Sequence, residues 1–195
     1  MHRKSFDALV SAAALVVATV LLAASGLLFW AHSFVADNVR TQLVAQRIFM
    51  PAAGSASLND PAVKPYLSRY AGQQLSNGEQ AKAYADHYIA VHLSALSGGK
   101  TYAELSALAQ QTPTDAALQQ KVATVFKGET LRGLLLNAYA FGKMAQVALI
   151  AAVIALATGI AMLLLALLGI LHARRTPYDT KVQVPGWHPE QLSVS

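Results

Sequence analysis

The sequence predicts an all-α membrane protein in which two transmembrane helices extend outward into a small extracytoplasmic helical bundle. Two long runs without a charged residue carry the first part of that prediction. They are residues 8–36, between Asp7 and Asp37, and residues 144–171, between Lys143 and His172. Each exceeds the roughly 20 residues that cross a bilayer core at about 1.5 Å per residue. Composition agrees: 13% of the 195 residues are charged, against about 25% in a soluble domain. An ordinary cytosolic enzyme and a water-soluble disordered chain are both excluded on that ground. The segment between the runs supplies the second part, because it carries helical periodicity and caps but no sustained strand alternation.

Taken in order, residues 1–7 form a short N-tail with Arg3 and Lys4. The first run could be a secretory signal, but its apolar part outlasts the 7–15 residues of a typical signal core. It continues through Phe29, Trp30 and His32, which resemble an interfacial aromatic belt, so it reads as an uncleaved anchor. Two spans place both tails on one side. Short basic tails (Arg3 and Lys4; Arg174, Arg175 and Lys181) favour the cytoplasm, which puts residues 37–143 outside a plasma membrane.

In the outer segment an apolar face on Val39, Leu43, Val44 and Ile48 prolongs the first span up to Met50-Pro51. Val63, Tyr66, Leu67 and Tyr70 repeat at helical spacing after Asn59-Asp60-Pro61. A longer helix opens at Ser76-Asn77-Gly78 and closes at Gly98-Gly99. Thr101 and Glu104 have capping-box spacing. Thr112-Pro113 starts a helix carrying Leu118, Val122 and Val125, and residues 128–133, with two glycines, read as a joint after it. Beyond the joint, Leu131, Leu134, Leu135, Ala138 and Gly142 carry an apolar face into the second span. Residues 172–195 form a cytoplasmic disordered tail whose one large anchor is Trp187.

The net charge of +5 does not indicate nucleic acid, because the basic residues pair at the span edges or alternate singly with acids. Cysteine is absent, which removes disulfides, thiolate metal sites and thiol nucleophiles.

The stretches Gln42-Leu43-Val44-Ala45-Gln46-Arg47-Ile48, Tyr70-Ala71-Gly72-Gln73-Gln74 and residues 81–93, together with 98–102 and 128–140, carry a likeness. On these the chain resembles a family of two-pass membrane proteins of actinobacteria, over both spans and the outer segment but not the tail. Some members bear the label of aromatic ring-opening dioxygenase. Ring opening on non-haem iron needs two histidines and a carboxylate around open metal positions, and the family brings no catalytic motif that lends a role to any residue here.

The densest cluster of chemistry-bearing side chains is Tyr84, Asp86, His87, Tyr88 and His92. His87 and His92 are the candidate metal ligands, but five residues turn a helix by about 140°, whereas a helical metal pair sits at i, i+4. A third ligand would have to come from Glu79, Glu104 or Glu129. The other expectation is that Tyr84 and Tyr88 pack inward while Lys82 and Asp86 pair on the surface. Arg132 and Asn137, near the second span, are candidate partner or lipid contacts, as is Trp187. Ala151, Ala155 and Gly159 recur every four residues as a helix-packing face, with Ala8, Ala12, Ala14 and Ala18 on the first span.

No catalytic residue and no cofactor is expected. The function the sequence favours is an accessory or scaffold component of the cell envelope that binds a membrane lipid, a protein partner or a second copy of itself. The alternatives are an extracytoplasmic sensor relaying to a separate cytoplasmic protein and, more remotely, a metal-dependent ring-opening oxygenase.

Overall fold

The computed structural model describes residues 3–175, and they are all-helical; the tail with Trp187 lies outside the described residues. Helix α1 spans Arg3–Ala45. The short α2 (Ala56–Asn59), α3 (Lys64–Leu67) and a 3₁₀ turn, Ser68–Tyr70, follow. Helix α4 (Gly78–Tyr84) passes through one π-helical turn, Ala85–Ile89, into α5 (Ala90–Ser97). Then come α6 (Tyr102–Gln111) and α7 (Ala116–Arg175). Both α1 and α7 are long and apolar enough to cross a membrane. The described residues divide into two compact units, 3–29 with 149–175, and 30–148.

The first unit is an antiparallel pair of helical segments joined along small residues. Ser11, Ala18 and Ser25 of α1 are buried, as are Ala152, Gly159, Ala166 and Ala173 of α7. The Ser25 hydroxyl donates to the Ala152 carbonyl at 3.0 Å. A Cβ on Gly159 would stand 3.1 Å from the Leu22 side chain, and one on Gly169 would collide with the Ser11 hydroxyl. The buried positions recur every seven residues, the 3.5-residue period of a left-handed supercoil. The expected four-residue face is corrected accordingly. Gly159 lies in the seam, but Ala151 and Ala155 are only partly buried and flank it. Asp7 and His172, which bound the uncharged runs, lie 3.8 Å apart.

In the second unit, Leu43, Leu67, Leu75, Val63, Val125 and Leu135 are the largest fully buried apolar side chains of one core. α1 ends five residues before the expected break at Met50-Pro51, because Arg47 turns left-handed (φ 52°) and the Gln74 amide donates to the Val44 carbonyl at 2.9 Å. The chain then runs beside residues 72–75 in a short antiparallel pairing, with Leu75 N–H donating to Ile48 O (2.9 Å) and Met50 N–H to Gln73 O (2.8 Å). Among the described residues this isolated bridge is all the β-structure there is. The Asn77 cap, the left-handed Gly98 and the Thr101–Glu104 capping box form as the sequence predicts.

Other expectations fail. The helix predicted around residues 63–70 shrinks to α3 and its 3₁₀ turn, with Tyr66 exposed. The last helix begins not at Thr112-Pro113 but after Asp115, whose carboxylate accepts from Leu118 N–H at 3.0 Å. Residues 128–133 are no joint: α7 runs through them unbroken. Gly128 is there for close packing, since a Cβ would stand 2.5 Å from the Leu93 side chain, whereas Gly133 faces open space. Leu134 also leaves the apolar face predicted for it and is exposed, next to buried Leu135.

Candidate functional site

Two glycines let α4 reach the backbone of α7. A Cβ on Gly78 would stand 2.9 Å from Tyr139 Cα, and one on Gly142 would stand 3.4 Å from Gly78 Cα. Charges organise around that contact. Glu79 pairs with Lys143 at 2.5 Å and Lys82 with Asp86 at 2.5 Å. Both ammonium groups also approach the Tyr139 ring, at 5.3 Å for Lys82 and 5.5 Å for Lys143. Higher on α7, Arg132 is held by Glu129 at 2.8 Å and lies 3.7 Å from Asp86.

The π turn fits this arrangement. Its opening bond runs from Ala90 N–H to Ala85 O, and the same carbonyl accepts Arg132 Nε at 3.1 Å. Such turns are often found at functional sites. Here the extra residue is matched by a guanidinium from the facing helix. The Asp86 carboxylate beside Lys82 holds that ammonium above its usual range, and the Glu79 carboxylate does the same to Lys143. Burial, with the neighbouring Tyr88, pushes the Tyr84 phenol up.

Two cavities flank the α1 and α7 segments of this unit. The smaller, of about 200 Å³, is lined by His32, Asn77, Glu79, Tyr139, Lys143 and Gln146 among others. His32 Nδ1 lies 2.8 Å from the Ala145 carbonyl. The other is a groove of about 430 Å³ walled by Phe34, Leu134 and Phe141, with Asn38, Gln42 and Gln46 along one edge. None of its ten lining residues carries a charge. Phe34 stacks on Trp30, with ring centroids 5.6 Å apart.

The predicted site residues meet different fates. Tyr84 and Tyr88 pack against the core and stack at 4.7 Å, while Lys82 pairs with Asp86, as expected for a structural face. His87 stacks on Tyr66, centroids 3.4 Å apart. His92 lies over Tyr88 and places Nδ1 2.8 Å from the Tyr88 carbonyl. The carboxylates named as third ligands are engaged elsewhere: Glu79 with Lys143, Glu129 with Arg132, and Glu104 in its capping box. Among the described residues no three His, Asp or Glu side chains gather where they could hold a metal. Arg132 is turned inward as a bolt across the π turn, while Asn137 is exposed.

Sequence reasoning missed the groove and the smaller cavity. Asn38, Gln42 and Gln46 do recur every four residues, but a row of amides gives no sign of the neighbour that turns it into a wall. No protein-family model, curated protein or solved structure matches this chain.

Proposed function

We propose that the chain is a non-catalytic, two-pass protein of the plasma membrane, with residues 37–143 outside and both tails in the cytoplasm. In this reading it is an accessory or scaffold component of the cell envelope that holds a protein or lipid partner through its outer helical domain.

The observation that carries the reading is the uncharged groove between α1 and α7. Phe34, Leu134 and Phe141 are 57%, 59% and 45% exposed around it, and apolar side chains gathered around a concavity mark binding surfaces. The groove also adjoins the uncharged runs, since Phe34 itself belongs to residues 8–36. The non-catalytic reading draws on the commitment of the titratable side chains to packing and pairing. The outer segment is lean in charge as well, with seven acids and ten bases in residues 37–143, about 16%, against about 25% in soluble domains.

The test is photocrosslinking in intact membranes from benzoylphenylalanine placed at Leu134, with Lys121 as a control position. A discrete adduct from position 134 alone supports the reading. Equal, diffuse labelling from both positions contradicts it.

A further inference from the structure

We infer that the groove between α1 and α7 seats an acyl chain of a membrane phospholipid, drawn up from the bilayer edge. This rests on the two-pass membrane reading and names the occupant of the same site. Phe34 and Val35 line the groove and also end the uncharged run 8–36, so a chain can enter from the bilayer without crossing water. From Phe34 to Leu43 the α1 wall rises by about 14 Å, at about 1.5 Å per residue.

This groove offers no charge at all among its ten lining residues, and a lining without charge suits a chain without charge. Its volume of about 430 Å³ holds about fourteen methylene-sized groups at roughly 30 Å³ each, the share of one water molecule in the liquid. That is the scale of one acyl chain, and it falls well short of a packed helix.

Asn38 and Gln42 stand four residues apart on one face of α1, and Gln46 follows just past its end. Their side-chain amides can donate to the ester carbonyls that join a tail to its glycerol, and they do so without selecting the charge of a head group. The groove therefore recognises the tail and ester region of a phospholipid.

The experiment uses the full chain in phosphatidylglycerol vesicles that contain a phospholipid with a diazirine at the end of one tail. After illumination the labelled peptides are mapped by mass spectrometry. The expected result is labelling within residues 34–46 and 134–141 in addition to residues 149–171. Ala138→Trp fills the groove, and because interiors have little spare volume it should cut labelling of the first two peptides by about tenfold while leaving 149–171 unchanged. Asn38→Trp should do the same from the exposed wall, and helix content by circular dichroism verifies that both variants fold. Labelling confined to residues 149–171, or groove labelling that both variants leave intact, overturns the proposal. Should the lipid label fail while benzoylphenylalanine at Leu134 still yields a discrete protein adduct, the acyl-chain assignment falls and the partner reading stands; loss of both signals removes both.

Discussion

Replacing Gly78 with alanine tests the close backbone approach of α4 to α7, because two effects of opposite sign compete there. Inside a helix, Gly→Ala ordinarily stabilises by about 0.5–1 kcal/mol through backbone entropy. At Gly78 the new Cβ would stand 2.9 Å from Tyr139 Cα, 3.1 Å from Ala138 O and 3.3 Å from Tyr139 O. Carbon pairs prefer about 3.5–4.0 Å, and all three neighbours are α7 backbone, which cannot rotate aside. α4 must back away, which also stretches the Glu79–Lys143 pair. Overpacking of this kind costs about 1–3 kcal/mol. Gly78 is the first residue of α4, so the entropic gain is small and the net loss should be about 1–2 kcal/mol. Gly133→Ala is the control, since a Cβ there meets nothing within 4 Å and should stabilise by about 0.5–1 kcal/mol. The assay is denaturant unfolding of the full chain in detergent, followed by helical circular dichroism. If Gly78→Ala matches or exceeds the parent in stability while Gly133→Ala behaves as stated, the close approach of α4 to α7 is wrong.

Four further outcomes are expected. Arg132→Met removes a hydrogen bond from a charged group to Ala85 O and two partly exposed carboxylate contacts, and should cost about 1–2 kcal/mol; amide exchange at residues 85–90 should rise more than at 102–111. Ser25→Ala loses the bond to Ala152 O at a cost of about 0.6 kcal/mol, the mean for such bonds in membrane proteins, whereas Gly159→Leu should force the helices apart and abolish a disulfide engineered between positions 25 and 152. The hydrogen bonds that Thr101 donates from its backbone and side chain hold the Glu104 carboxyl below its usual range. Its stabilising effect is therefore present above the ordinary glutamate pKa and lost as pH falls through the lowered value; a pH titration of α6 amide exchange should show that acid limb, and Glu104→Gln should flatten it. Tyr84 is shifted up, so its stabilising effect is present below the ordinary tyrosine pKa and lost as pH rises through the raised one; Tyr84→Phe should remove that alkaline limb.

Much of this architecture could be read one helix at a time. The uncharged runs, the Asn77 cap, the Thr101–Glu104 box and the left-handed Gly98 are local features, and local chemistry decides them. What escaped is what a second helix decides. Gly128 resembles a break until Leu93 is seen to pack on it. Alanine-rich helices offer small-residue faces at several spacings, and only the opposing segment selects every seventh residue over every fourth. The π turn needs Arg132 from α7 to accompany its extra residue. His87 could be weighed as a ligand because Tyr66, twenty-one residues earlier, gives no sign in sequence that it will stack on that ring. Both cavities are likewise products of pairing between elements.

The most direct test of the account is the topology of the chain in the membrane. The sequence holds no cysteine, so Ser55→Cys, in the loop after α1, provides a unique thiol. The account predicts that an impermeant maleimide labels it in intact cells as fully as in permeabilised ones, while a cysteine added at Ser5 is labelled only after permeabilisation. Protection of position 55 in intact cells, with labelling on permeabilisation, would place residues 37–143 in the cytoplasm and contradict the account.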